Sequence, residues 1–386
     1  MPDSLVAIAL PVALLVALAG HATLCGAFIN RLHGWGWRRH AVDALTFAAF
    51  LYFLAFPAWL AYAWLDGSLR AQASGAGPLA LYGWACIAVA VVALATRLAW
   101  RLDPQRSVPA GRTTETLDLR AQLGPGVVRA GVPRTLASLP GNGLLQVAVE
   151  KNTLPCPRLP EPLDGLKIAM LSDLHMSGRL GVEYFRAVVD RVNAWSPDLV
   201  ALCGDLVERP QCMPWIDSTI ARLEATHGVY GILGNHDEKV DVAELRQRLA
   251  TAGVRDVSSQ TQTLMIDGAG LLIAGNEAPW FAGPGDVPAI DPETFRLALL
   301  HTPDQWPWAI AEQFDLALAG HTHGGQVCLP WMGAIACPSR HGTRYASGLF
   351  RRGPTTLYVG RGTGSLAPLR YFCPPEVTLL TLTCSG

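Results

Sequence analysis

Three apolar stretches open the chain, at residues 4–29, 41–65 and 79–100. A hydrocarbon layer takes about 20 helical residues to cross, so the pattern predicts three membrane-spanning helices. A signal peptide would need a positive leading region, and the chain starts Met-Pro-Asp-Ser with two further spans behind the first. The first stretch therefore reads as a span. Residues 103–143, rich in Pro, Gly and Arg, read as a juxtamembrane linker, followed by a strand-like run at 144–149 and a proline-broken segment at 154–160.

From Leu166 the pattern changes to regular alternation. Strands are predicted at 166–172, 198–203 and 229–233, and helices at 182–195, 215–226 and 242–252. Strands that are apolar nearly throughout, separated by amphipathic helices, indicate a sheet covered on both faces. After Gly253 come a hairpin (261–266 and 271–275) turning at Asp267-Gly268, strands at 296–300 and 316–319, a helix at 306–313, and terminal strands at 356–359 and 377–382. The organisation expected is a membrane domain (1–102), a linker (103–150) and an α/β domain with mixed sheets (151–386).

Composition sharpens the division. Of 61 charged residues only eight fall in the first hundred, and the chain as a whole is 50% hydrophobic and 16% charged. That excludes a disordered or fibrous protein. With 30 basic against 31 acidic residues, it offers nucleic acid no general electrostatic grip. The link between spans one and two carries Arg31, Arg38 and Arg39 without an acid, the next link only Arg70 against Asp66, and Arg101, Arg106 and Arg112 follow span three. The positive-inside bias puts the N-terminus outside and the large domain in the cytoplasm, on the inner (plasma) membrane. Seven cysteines lie beyond the spans, an odd number with no Cys-x-x-Cys pair, which is neither a disulfide framework nor a zinc-thiolate signature.

Residues with metal chemistry fall at the C-terminal ends of the predicted strands, where open α/β sheets bind ligands. They are Asp173 and His175, Asp205, Asn235-His236-Asp237, His301, and His321-Thr322-His323. Singly, a strand-end Asp is a cap and a His a satisfied hydrogen bonder. Together, buried carboxylates and imidazoles on one rim need compensating charge, and divalent cations supply it. Oxygen and nitrogen donors without thiolate suit manganese first, with iron, zinc or other first-row ions as options.

The ordered motifs Leu-Ser-Asp-Leu-His, Gly-Asp-x-x-Glu, Gly-Asn-His-Asp, Leu-Leu-His-Thr-Pro-Asp and Gly-His-Thr-His-Gly-Gly-Gln-Val resemble the calcineurin-like metallophosphoesterase superfamily, in particular its membrane-associated bacterial branch. The resemblance covers residues 154–382 and implies a four-layer sandwich, two mixed β-sheets flanked by helices. It implies that Asp173, His175 and His323 bind one metal, that Asn235, His301 and His321 bind a second, and that Asp205 bridges them, so that a hydroxide held between the ions attacks phosphorus. His236 would then protonate the leaving oxygen or stabilise charge on phosphorus, with Asp237 orienting its imidazole or, alternatively, capping the helix that follows. Glu208 stands where the motif often has Asp.

Substrate signals are thinner. Arg179, Arg209, Arg340, Arg344 and Arg361 follow motif segments as candidate phosphate contacts. Residues 329–336 and 278–281 are apolar for loops, either a rim that admits acyl chains or cover for the second sheet. Tethering favours a lipid phosphoester or pyrophosphate, and the resemblance implies hydrolysis of the UDP-diacylglucosamine pyrophosphate as one activity. A phosphodiesterase of soluble substrates, a non-catalytic membrane-anchored metal-binding scaffold and a transporter are the alternatives. No expected ligand is missing, against a scaffold. The spans carry little polar beyond His21 and Asp43, against transport.

Overall fold

The computed structural model describes residues 2–74, 77–106, 111–289, 291 and 293–384. It separates into two compact units, Met1–Pro104 with Arg340–Arg344, and Gln105–Ser339 with Tyr345–Gly386.

The first unit contains helices α1 (Pro2–Gly34), α2 (Arg39–Leu65), α3 (Leu69–Ser74) and α4 (Pro78–Arg101). Segments Ala9–Gly34, His40–Leu65 and Pro78–Arg101 are long and apolar enough to cross a membrane. Their mutual interface is small and close. A Cβ at Gly20 would fall 1.8 Å from the Cys86 carbonyl oxygen, so α1 meets α4 through a missing side chain, as membrane helices do where packing must replace the hydrophobic drive. Phe47, Tyr62, Trp84 and Val92 face outward. The buried His21 is internally satisfied, accepting from the Tyr82 hydroxyl (2.6 Å) and donating to the Phe53 carbonyl (3.1 Å).

Two mixed sheets build the second unit. Among the described residues the first has seven strands, β1 (Gly111–Asp118), β2 (Gln146–Pro155), β3 (Lys167–Leu171), β4 (Leu199–Cys203), β5 (Val229–Ile232), β6 (Val254–Asp256) and β15 (Glu376–Thr383), in the order β1-β2-β15-β3-β4-β5-β6. The second has β7 (Gln262–Ile266), β8 (Ala269–Asn276), β9 (Thr294–Leu300), β10 (Leu316–Ala319), β13 (Gly348–Arg352) and β14 (Thr355–Val359), in the order β13-β14-β10-β9-β8-β7. A two-stranded hairpin, β11 (Cys328–Leu329) and β12 (Gly333–Ala334), stands apart. Strands β3 to β6 run parallel, as do β8, β9, β10 and β14.

Three cores make the layers. Ile168, Met170, Ala201 and Ile232 of the first sheet pack on Ile273, Leu297, Leu299 and Leu318 of the second. The outer face of the first sheet is covered by Tyr184, Phe185, Val188 and Val192 of helix Val182–Asn193 and by Leu245 and Leu249 of helix Val242–Thr251. Trp306 and Ala309 of helix Trp306–Ala311 cover the other sheet. The result is the four-layer sandwich expected, preceded by three apolar helices.

Two sequence readings need correction here. Residues 103–150 are not a free linker, because β1 pairs along its whole length with β2, from Gly111 opposite Thr153 to Asp118 opposite Gln146. Its Thr-rich, solvent-facing sequence carries no apolar alternation, and what holds it is the neighbouring strand and the buried Glu150, which accepts from Arg112 and Thr114. The predicted helix at 215–226 is one α-turn, Trp215–Ser218, broken at Thr219 and followed by a 3-10 turn at Ile220–Arg222. Thr219 bonds its hydroxyl back to the Trp215 carbonyl (2.6 Å), competing with the helix ladder.

Candidate metal centre

Each metal-type side chain follows the end of a parallel strand. β3 leads to Asp173 and His175, β4 to Asp205, β5 to Asn235 and His236, β9 to His301, and β10 to His321 and His323. At five of these positions the backbone takes a positive φ without being glycine: Asp173 (52°), His175 (47°), Asp205 (57°), His321 (68°) and His323 (51°). That region costs about 1–3 kcal/mol per residue, and a fold keeps it only where surrounding contacts over-determine it.

The contacts are identifiable. Asp173 and His175 donate their backbone N–H groups to the Gly204 and Asp205 carbonyls (both 2.9 Å), so pairing of β3 with β4 continues past the strands. The His321 N–H bonds both carboxylate oxygens of Asp173 (3.0 Å each). Two glycines make room. A Cβ on Gly234 would lie 2.4 Å from Asp205 Oδ1 and from His301 Cε1, and one on Gly320 would lie 2.5 Å from Asp173 Oδ2.

These turns deliver three clusters of donor atoms, Asp173–His175–His323, Asp205–His301–His321 and His175–Glu208–His236. In the first, His175 Nε2 and His323 Nε2 face each other at 2.9 Å, and Asp173 Oδ1 stands 3.5 Å from the latter. In the second, His301 Nε2 is 3.4 Å from Asp205 Oδ1 and 3.1 Å from Asn235 Oδ1. The other oxygen of Asp205, Oδ2, is 3.6 Å from His175 Nε2. One carboxylate thus turns an oxygen toward each group of imidazoles. All seven expected ligands are brought to one place.

Acceptors orient the rings. The Cys203 carbonyl takes the Nδ1–H of His301 (2.8 Å) and Glu208 takes that of His175 (3.0 Å), which directs both Nε2 atoms inward, where a bound cation would displace any proton they carry. Trp280 closes one side, its ring centroid 4.8 Å from that of His321 and 5.4 Å from that of His301.

The charge balance fits a cation site. Burial raises Asp173, while burial on Asp205 is outweighed by His301 and His236, which hold it well below the usual carboxylate range. Burial also opposes charge on His301, but Asp205 and Asp173 bring it up to about 9. Crowded buried anions and imidazoles of this kind are relieved by divalent ions, and an oxygen–nitrogen donor set without thiolate suits first-row metals.

Asp237 has a different task from the one expected of it. It does not orient His236, nor does it cap the helix, which Asp241 does. Its fully buried carboxylate accepts backbone N–H groups of Gly234 (2.8 Å), Asp205 (2.9 Å), Leu206 (2.8 Å) and Val207 (2.9 Å), stapling the β4 turn to the β5 turn. Burial, then Asp205, push it up to about 7. Asp237→Ala should strand those donors at about 1–3 kcal/mol each, partly offset by relaxation. We expect a net loss of about 3 kcal/mol, a fall in Tm of roughly 6–12 °C by near-UV circular dichroism; an unshifted transition would refute the staple.

The imidazole of His236 is instead held by Glu208 and Lys239, its Nδ1 lying 2.6 Å from Glu208 Oε1 and also against the Lys239 ammonium. Glu208 also accepts from Lys239 (3.0 Å) and from Arg179 (3.1 Å). Burial works against its charge, yet His175 and His236 keep it well below the ordinary range. Of the arginines singled out by sequence, Arg361 is taken by Glu150 (2.5 Å) and Glu376 (2.6 Å). Sequence reasoning missed Arg370, fully buried, whose guanidinium donates to the His323 carbonyl (2.9 Å) and lies 3.2 Å from His323 Nδ1. No motif signals it.

A sandwich that gathers imidazoles and carboxylates from five strand ends around a shared aspartate is the architecture of metal-dependent phosphoester hydrolases. Residues 166–325 match the Calcineurin-like phosphoesterase family, and the chain belongs to that family, whose members usually depend on two metal ions. It is 32% identical over 245 residues to the metallophosphoesterase YkuE of Bacillus subtilis (strain 168), covering 61% of this chain and 85% of the relative. Phosphodiesterase YaeI of Escherichia coli (strain K12) is 31% identical over 221 residues, covering 56% and 82%. A bovine (Bos taurus) transmembrane protein with metallophosphoesterase domain is 26% identical over 313 residues, covering 74% and 67%. The protein is therefore a hydrolase acting on phosphoester bonds.

Proposed function

We propose that this chain is a membrane-anchored phosphodiesterase whose Asp173, His175 and His323 hold one divalent ion and whose Asn235, His301 and His321 hold another, with Asp205 shared between them. The observation that carries the reading is the Asp205 carboxylate, one oxygen 3.4 Å from His301 Nε2 and the other 3.6 Å from His175 Nε2. Two ions at such a site supply an activated water and neutralise charge on the phosphoryl oxygens. The chain's own residues do the rest. Glu208 and the Cys203 carbonyl fix the ligand tautomers, and Trp280 shields the His301–His321 side from water. His236, side chain 19% exposed and steadied by Glu208, is placed to hand a proton to the leaving oxygen.

The phosphodiester class is favoured by the name of the Escherichia coli relative, and a lipid-linked phosphodiester or pyrophosphate, such as that of UDP-diacylglucosamine, by the three spans. Full-length protein stripped with a chelator should be inactive against phosphodiesters and lipid pyrophosphates and regain turnover with manganese, iron or zinc. Activity that survives stripping to below one ion per chain would overturn the proposal. Arg31, Arg38, Arg39 and Arg101 favour a catalytic unit on the cytoplasmic side of the plasma membrane. A reporter fused after Arg112 is expected to score as cytoplasmic, and a periplasmic score would reverse that placement.

A further inference from the structure

The hairpin that follows the metal-site loop has an unusual surface. At its turn Trp331 is 89% exposed and Met332 52%, and Phe372, from a segment forty residues away, is 72% exposed. Leu329 and Ile335 extend the apolar area. Trp331 and Phe372 both sit at positive φ, 60° and 51°, so the backbone holds two aromatic rings in water at a conformational cost. The two segments are fastened as one surface by a parallel bridge between Val327 and Tyr371 and by the Cys328 N–H on the Tyr371 carbonyl (2.9 Å).

This surface is built onto the metal-site loop. Gly325, two residues after His323, lies so close to the hairpin that a Cβ there would stand 2.6 Å from Ala334 Cβ and 2.9 Å from the Ala336 carbonyl. Its electrostatics point one way. Residues 316–375 contain six arginines and no Asp or Glu; Arg361 and Arg370 are used inside the fold, Arg340 donates to the Gly34 carbonyl, Arg344 pairs with Asp103, Arg351 donates to the Pro155 carbonyl, and Arg352 is exposed. Trp, Phe, Met and Leu on a loop flanked by arginine without acid is the composition of an interfacial membrane contact. A bilayer is always at hand, because the third apolar helix ends at Arg101 and β1 begins at Gly111.

We propose that the β11–β12 hairpin and Phe372 insert into the headgroup–acyl boundary of an anionic bilayer, and that the metal centre takes its phosphoester from lipids across that contact. The second half rests on the phosphodiesterase reading above; the insertion itself does not. Its test uses the full chain in nanodiscs containing anionic lipid. Trp331→Cys carrying a bimane label is expected to be quenched at least about twofold by lipids bearing a nitroxide at the headgroup–acyl boundary. A label at exposed Gln247, on helix Val242–Thr251, should be unaffected, with the parent protein giving the background from native thiols. An unquenched label at 331, or one that reports contact between two copies instead, overturns the insertion. For delivery, Trp331→Ser with Phe372→Ser should raise KM about tenfold for a phosphodiester lipid in the bilayer and leave kcat/KM for soluble bis(p-nitrophenyl) phosphate unchanged. Equal effects on both substrates overturn delivery. A parent inactive on both overturns the phosphodiesterase reading instead, with quenching still deciding insertion.

Discussion

Asp205→Asn is expected to lower turnover of a phosphodiester by on the order of 10³-fold and to reduce bound metal from two ions per chain to one or none. The substitution keeps the shape, and Asn tolerates the φ of 57° found at this position as readily as Asp does. It can still accept the His236 N–H that Oδ1 accepts at 2.7 Å. What it loses is one of the two anionic oxygens that stand toward His301 and His175. Whichever way the amide is turned, an NH₂ group replaces a donor atom for one of the ions.

Stability should move the same way. Without metal, Asp205 raises its buried neighbours Asp173 and Asp237, but His301 and His236 outweigh burial and hold Asp205 itself well below the usual carboxylate range, so its charge favours the fold and removing it leaves His301 without its partner. Metal-free Asp205→Asn should therefore melt below the metal-free parent at neutral pH, and manganese should raise the parent's Tm more than the variant's. Calorimetry with and without metal reads both. A variant that binds two ions and turns over normally would remove Asp205 from the centre.

Much of this could be read from the chain, and the gaps have physical reasons. The five strand ends were legible because each joins an apolar run to a polar residue with metal chemistry, and the order of those junctions survives any error in where a strand stops. The grouping of Asn235 with His301 and His321 comes from the family resemblance, since the order of strand ends alone does not say which of them share an ion. The edge strand β1 was not legible, since its side chains face solvent and its register is set by β2, which lies 28 residues beyond its end. The support for the ligands was hardest to read. A carboxylate can orient an imidazole, cap a helix or gather backbone amides, and Asp237 and Glu208 differ only in which partners the turns bring within 3 Å. Glu208 reaches both His175 and His236 because the β4 turn carries it back across the β3 turn, where Glu208 N–H meets the Met176 carbonyl (3.1 Å). Arg370 lies in a loop with no periodicity, and only the tertiary fold buries it against His323.

His236→Ala tests the remaining role, and its expected signature is a loss of about 10²–10⁴-fold in turnover with metal content near that of the parent. The second half of that statement comes from Glu208. When the imidazole is deleted, Glu208 keeps the His175 Nδ1–H, Lys239 and Arg179, so the ligand it orients stays oriented. The size of the loss should depend on the leaving group. A nitrophenolate departs without a proton and an alkoxide does not, so the variant should retain far more activity on bis(p-nitrophenyl) phosphate than on a dialkyl phosphodiester. Equal losses on the two would mean that His236 acts on charge at phosphorus rather than on the leaving oxygen, because only proton donation is sensitive to the basicity of the group that departs.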